Sequence, residues 1–97
     1  MTDELGHLVF RPHAIQRMFE RGISTSQVRR ALEEGQVIED YPDDSPYPSR
    51  LVLGWHESRP IHVVAARNEG EDETIVITVY EPDPQKWNSD FRGRRKP

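Results

Sequence analysis

The sequence predicts an α+β domain in which two N-terminal helices pack on a small antiparallel sheet of three to four strands. The chain has 97 residues, a length that suits one domain, and we interpret residues 1–97 as a single unit. Two segments with helical periodicity come first, each with its own start and stop residues. Segments rich in β-branched residues follow, separated by polar turns.

The first helix is predicted from Pro12 to about Arg21. Proline suits the first helical turn, because the N–H that it lacks would have no partner there. Gly22 fits the position just after the helix, where a left-handed backbone is common. Three apolar residues at i, i+3, i+4 spacing predict the buried stripe of this helix: Ile15, Met18 and Phe19.

The second helix is predicted to begin after Ser24. Ser24 and Gln27 match the capping box, in which each side chain binds the backbone N–H of the other residue. Gly35 is expected to close the helix. The buried stripe is expected to consist of Val28, Ala31 and Leu32.

Four strands are predicted after the helices: Gln36–Tyr41, Arg50–Trp55, Ile61–Arg67 and Thr74–Glu81. The last two are apolar on both faces, which predicts central positions in the sheet. We expect the helices to cover one face of the sheet and the C-terminal tail, or a partner, to cover the other. Leu8–Phe10 is a candidate short edge strand, and the basic tail over about 92–97 is predicted to be flexible.

Composition narrows the class of protein. Cysteine is absent, so no disulfide framework or thiolate metal site is possible. The formal net charge is -4. The first residues are polar and acidic, unlike a signal peptide, and no apolar run approaches the roughly 20 residues of a membrane helix. We therefore expect a soluble, cytoplasmic protein that does not bind a membrane. Although the net charge is negative, the arginines are concentrated between Arg11 and Arg30 and in the tail. This distribution predicts a basic face.

One stripe of the first helix combines residues suited to acid–base chemistry and phosphate binding. At about 100° per residue, this stripe covers about a third of the helix and contains His13, Arg17, Glu20 and Arg21. Imidazole can transfer a proton near neutral pH, and guanidinium binds phosphate through a bidentate fork. Phosphodiester cleavage without a metal needs such groups. A solvated polar face of an amphipathic helix explains the same pattern, so both interpretations remain open.

Other candidate residues lie on the strands. His62 opens an otherwise apolar strand, either as a buried structural histidine or as a second acid–base group, and Trp55 or His56 is expected opposite it. Tyr80 ends the last strand, where its hydroxyl could bind a phosphate or its ring could stack on a base. Arg50 and Arg67 lie at strand ends, where each is either a phosphate contact or plain surface. The four histidines lack metal-ligand spacing, and no Gly-rich phosphate loop occurs, so neither metal nor cofactor is predicted.

Five segments together resemble a bacterial domain family of unknown function that is similar to the RelE and MqsR toxins. They are HAIQRMFERGIS (13–24), GQVIEDYP (35–42), YPSRL (47–51), RPIHVV (59–64) and ITVYEPDPQKW (77–87). The resemblance covers about 8–95. It implies a RelE-like fold, metal-independent cleavage of mRNA, and inhibition by a partner protein, often a zinc-finger antitoxin of the MqsA type. The positions that it highlights are His13, Arg17, Arg21, Arg50, His62 and Tyr80.

These observations predict the toxin component of a type II toxin–antitoxin system, an endoribonuclease that acts on mRNA. The predicted catalytic residues are His13, His62, Arg17 and Tyr80, and the predicted substrate-binding residues are Arg21, Arg50 and Arg67. Two alternatives remain: a non-catalytic protein- or RNA-binding module, and a toxin-fold protein that has lost its activity. RNA sequence preference and oligomeric state have no signal in the sequence.

Overall fold

The structure is a computed structural model that describes residues 5–96. Over this range the chain forms the elements β1 (His7–Phe10), α1 (Pro12–Arg21), α2 (Thr25–Glu34), β2 (Gln36–Tyr41), β3 (Ser49–His56), β4 (Arg59–Asn68) and β5 (Glu73–Tyr80). The acidic residues 1–4 and the last residue of the predicted flexible tail lie outside the described range. No helix within this range is long and apolar enough to cross a membrane.

The predicted fold class is wrong, and the RelE-like arrangement of three to four antiparallel strands is wrong with it. The sheet has five strands in the order β1-β5-β4-β3-β2, and it is mixed because β1 pairs with β5 in parallel. The chain leaves β1, crosses one face of the sheet as two helices, and then begins β2 at the opposite edge. A four-residue strand that pairs with the far end of the chain leaves no hairpin signal in the sequence.

Helix α1 packs through a different stripe from the predicted one. Ala14 and Met18 are buried, whereas Ile15 is 54% exposed and Phe19 is 89% exposed. The prediction of a core stripe containing Ile15 and Phe19 is therefore wrong. Ala14 and Met18, which are four residues apart, form the buried stripe instead. The helix ends as predicted at Gly22, which has a φ of 64°.

Helix α2 has the predicted capping box. The backbone N–H of Gln27 donates to Ser24 Oγ, and the backbone N–H of Ser24 donates to Gln27 Oε1. The helix then packs on β3 through Ala31 and Gly54. A Cβ atom at Gly54 would lie 2.3 Å from the Cβ of Ala31, so glycine is needed for this close approach. Both helices therefore cover the same face of the sheet.

The alternation of β4 separates the two faces. Val63 and Ala65 belong to the core beneath the helices, so His62, Val64 and Ala66 point to the other face. We call this second surface the open face. In register, His62 lies opposite Leu53 of β3 and opposite Tyr80 of β5.

The expectation that Trp55 or His56 lies opposite His62 is wrong. Trp55 pairs with Pro60 and His56 pairs with Arg59, because only two residues, Glu57 and Ser58, separate β3 from β4. The shorter turn moves the register along the strands. The residue beside His62 on β3 is therefore the buried Leu53, and not the half-exposed Trp55.

The tail folds back over one end of the open face. Trp87 and Arg94 form an antiparallel bridge, supported by hydrogen bonds from Asn88 N to Gly93 O and from Arg95 N to Lys86 O, both 2.8 Å. Trp87 is only 3% exposed. The helices and the tail thus lie on opposite faces, as expected, while the flexibility of the tail stays a prediction.

Candidate functional site

His62 lies fully buried at the end of the open face that the tail covers. Its Nε2 is 2.9 Å from the carbonyl oxygen of Phe91, and its Nδ1 is 3.1 Å from the hydroxyl of Tyr80. A carbonyl oxygen can only accept, so Nε2 carries the proton and donates to Phe91. In the neutral ring Nδ1 is then an acceptor, and the hydroxyl of Tyr80 donates to it.

The neutral form of His62 is favoured by its surroundings. The imidazole makes edge contacts with the rings of Tyr80, at a centroid distance of 5.1 Å, and Trp87, at 4.4 Å. Burial lowers the pKa of His62 below its ordinary value of 6.5, although the hydrogen bond to the Phe91 carbonyl acts in the opposite direction. The neutral imidazole therefore acts as the hydrogen-bond acceptor that holds the hydroxyl of Tyr80 in place.

The lowered pKa of His62 predicts a loss of stability in mild acid. Above pH 6.5 the ring of His62 is neutral in both the folded and the unfolded chain. Below this value the unfolded chain binds a proton at His62, whereas the folded chain stays unprotonated until the pH reaches its lowered pKa. The free energy of unfolding should therefore fall as the pH drops from 6.5 towards the lowered pKa, and His62→Gln should reduce this slope. Urea unfolding between about pH 7.5 and 5.5 measures the slope.

His56→Gln provides the matched control for the acid experiment. His56 is exposed at the end of β3, so its substitution should leave the pH dependence as in the wild type. An unchanged slope for His62→Gln would contradict the buried, neutral state of His62.

Three further side chains complete what we call the Tyr80 cluster, which consists of Glu39, Tyr41, His62, Tyr80, Trp87 and Arg94. Glu39 accepts a hydrogen bond from the hydroxyl of Tyr41, and its Oε1 lies 3.8 Å from Nε of Arg94. The guanidinium of Arg94 lies over the ring of Trp87, 4.6 Å from its centroid. A carboxylate, a guanidinium, an imidazole and two phenols thus lie together.

The charges of the cluster act on its phenols. Burial raises the pKa of Tyr80, while Arg94 lowers it and Glu39 raises it. Burial and the hydrogen bond to Glu39 raise the pKa of Tyr41 to about 12. Both phenols are therefore protonated at neutral pH. The side chain of Arg94 is 62% exposed, so its guanidinium can bind an anion from solution.

Two of the predicted substrate-binding arginines lie away from this cluster. Arg50 pairs with Ala65 in register, so it points to the helix face, and its Nε is 3.2 Å from a carboxylate oxygen of Asp40. Arg67 lies near the other end of β4, where it donates to the carbonyl of Leu5 at 2.8 Å and to Asp72 at 2.5 Å.

The three candidates on α1 also lie elsewhere. Arg17 pairs with Glu20 on the helix surface at 3.6 Å. Arg21 lines a cleft outside the cluster that also includes Glu81 and Phe91, the residue whose carbonyl binds His62. His13 lines another cleft, which includes Ala66. Because Ala66 is four residues from His62 on β4, this cleft lies roughly 13 Å from His62 at ~3.3 Å per residue.

Of the seven predicted site residues, the structure therefore brings together His62 and Tyr80. The other four members of the cluster, Glu39, Tyr41, Trp87 and Arg94, were not predicted as site residues. Glu39 and Tyr41 are two residues apart on a strand, a spacing that puts both on one face and could have drawn attention to them. Trp87 and Arg94 had no comparable signal. Among residues 5–96 no group of three or more His, Asp or Glu is arranged to hold a metal ion.

The fold and the cluster define a small domain in which a mixed sheet carries two helices on one face and a hydrogen-bonded polar cluster on the other. A family model described as a domain of unknown function, DUF4258, matches residues 10–81, and the chain belongs to this family. Membership of a family of unknown function is thereby confirmed; the match contains no link to RelE or MqsR toxins. Searches of curated proteins and of solved structures returned no significant match.

Proposed function

We propose that the protein is an endoribonuclease that cleaves mRNA at the Tyr80 cluster through attack of the ribose 2′-OH, without a metal ion. The observation that supports this most is the hydrogen-bonded series from Tyr80 through His62 to the Phe91 carbonyl. A hydroxyl bound to a base, which is itself oriented by a third group, is an arrangement suited to proton transfer. The guanidinium of Arg94 adds a binding site for phosphate.

Each group has a role that follows from its contacts. Tyr80 accepts the proton of the 2′-OH as it passes its own proton to His62 Nδ1, and the freed oxygen attacks phosphorus. The P–O2′ bond forms and the P–O5′ bond breaks while Arg94 stabilises the charged phosphorane. The proton returns through Tyr80 to the leaving 5′ oxygen, because burial disfavours a lasting charge on His62. The products are a 2′,3′-cyclic phosphate and a 5′-hydroxyl.

The test is the purified protein incubated with single-stranded RNA of mixed sequence in excess chelator. We expect cleavage that the chelator does not reduce, with a 2′,3′-cyclic phosphate on each upstream fragment. DNA of the same sequence should stay intact, since it has no 2′-OH. End-group analysis by mass spectrometry identifies the products.

Arginine substitutions in the tail provide the matched pair for this assay. Arg94→Ala should reduce cleavage about 100-fold, because the phosphorane loses its cation. Arg95→Ala should have little effect, because its Nε donates to the carbonyl of Pro84. The absence of cleavage with and without ribosomes, or equal cleavage of DNA, would remove the proposal.

We also propose the role of toxin component in a type II toxin–antitoxin system, with RNA as substrate in the cytoplasm. This part of the proposal is supported by the resemblance of the five sequence segments to the toxin-like family. The inhibiting partner would be a cognate antitoxin protein, for example one of the zinc-finger type. Covering the partly exposed Arg94 would be sufficient to keep phosphate out of the cluster.

A non-catalytic protein- or RNA-binding module is the second candidate. It is favoured by the engagement of both ring nitrogens of His62 within the chain. The formal net charge of -4 favours a protein over RNA as the partner of such a module, because RNA is itself negatively charged. Such a module would bind its partner and leave RNA intact. The cleavage assay separates the two candidates, because only the enzyme produces cyclic phosphate ends.

A further inference from the structure

A second cleft opens on the molecule near the other end of the open face, and no part of the proposed reaction uses it. Its volume is about 430 Å³. We call it the His13 cleft; its lining includes Arg11, His13, the carboxylate of Asp44, Tyr47, Ala66, Ile75 and Ile77. The last three are apolar, whereas the first two carry N–H donors and Tyr47 supplies an aromatic ring.

The loop on one side of the His13 cleft is held in place by hydrogen bonds. The hydroxyl of Tyr47 accepts from Asn68 Nδ2 at 3.0 Å, and Asp44 accepts from Ser49 Oγ at 2.5 Å. Anchored at both points, the ring of Tyr47 keeps its position without a ligand. A preformed cleft loses little conformational entropy on binding.

The His13 cleft and the Tyr80 cluster are connected along the open face. The pair Val64 and Thr78 lies in register between the pair that contains His62 and the pair that contains Ala66. Both Val64 and Thr78 are half-buried, so the open face remains partly accessible between the cluster and the cleft. The distance from His62 to Ala66, four residues along β4, is roughly 13 Å at ~3.3 Å per residue.

We propose that the His13 cleft binds one unstacked nucleotide of the same RNA strand whose scissile phosphate lies at the Tyr80 cluster. This inference rests on the proposed function. The apolar residues and the ring of Tyr47 suit the face of a base, and Arg11 and His13 can donate hydrogen bonds to its phosphate. Bases within a duplex are stacked and unavailable, so the substrate is a single strand.

The test uses a fluorescently labelled tetranucleotide with 2′-O-methyl groups throughout, which the enzyme cannot cleave. Fluorescence anisotropy should show that Tyr47→Leu weakens binding about tenfold, the size of effect typical of a lost base stack. His13→Ala should weaken it by about fivefold to tenfold through the lost hydrogen bond to phosphate. Tyr47→Phe keeps the ring but loses its hydrogen bond to Asn68, so its affinity should lie between those of the wild type and Tyr47→Leu. His56→Ala removes an exposed histidine outside the cleft and should change nothing.

The outcomes separate this inference from the proposed function. Unchanged affinity for Tyr47→Leu and His13→Ala would overturn the inference, even if the wild type cleaves RNA. Tighter binding of a duplex than of the single strand would also overturn it. If the same two variants bind RNA more weakly but the protein cleaves no RNA, the result would support nucleotide binding at the His13 cleft and contradict the proposed endoribonuclease activity.

Discussion

Tyr80→Phe is expected to lower the rate of RNA cleavage by at least about 100-fold, the lower range for loss of a positioned proton-transfer group. The substitution removes the hydroxyl that binds His62 Nδ1 and that, in the proposed mechanism, takes the proton from the substrate. The ring remains, so the contact with the imidazole and the β5 backbone should persist. Gel analysis of labelled RNA under single-turnover conditions measures the rate.

The fold of the Tyr80→Phe variant must be checked separately. His62 Nδ1 loses its partner, which should cost about 1–2 kcal/mol of stability. Ser58→Ala is the control, because it removes an exposed hydroxyl that lies outside the Tyr80 cluster and the His13 cleft; its cleavage rate should stay within a few-fold of the wild type. Expression of the wild-type protein should arrest bacterial growth and Tyr80→Phe should relieve the arrest. A Tyr80→Phe variant that cleaves like the wild type would remove the role of Tyr80.

The helices and strands could be predicted because their signals are local. The proline at the start of α1, Gly22 at its end and the capping box of α2 each depend on neighbours within four residues. The partner of β1 could not be predicted, because its parallel pairing with β5 joins residues more than 60 positions apart. The rotation of α1 was also missed, because periodicity favours the larger side chains Ile15 and Phe19 over Ala14.

The site was harder to predict than the elements. His62 and Tyr80 were both candidates, but their contact depends on the β4–β5 register and on an irregularity between Val64 and Ala65. The position of Arg94 depends on the tail folding back over the sheet, which no periodic pattern indicates. Residue type thus identified groups capable of chemistry, while register and tail path decided which of them meet.

Trp87→Ala is expected to cost about 3–5 kcal/mol of unfolding free energy, the range for removing a large buried aromatic side chain. Trp87 is 3% exposed, its ring contacts His62, and Arg94 lies over it. One substitution therefore opens a cavity and lets water reach a buried imidazole. Urea unfolding measures the loss, and Trp87→Phe should give a smaller loss in a chain that stays folded.

Trp55→Ala is the matched control for the role of the tail. Trp55 is 46% exposed and makes an edge contact with Phe91 at 6.0 Å, so its loss should cost about 1 kcal/mol or less.

The Trp87 and Trp55 variants should also differ in the pKa of His62. Water admitted beside the ring in the Trp87 variants removes part of the burial that lowers the pKa of His62, so an NMR titration should move that pKa back towards 6.5, whereas Trp55→Ala should leave it unchanged. Equal losses of stability, or an unmoved titration in Trp87→Phe, would mean that Trp87 neither supports the open face nor keeps His62 neutral.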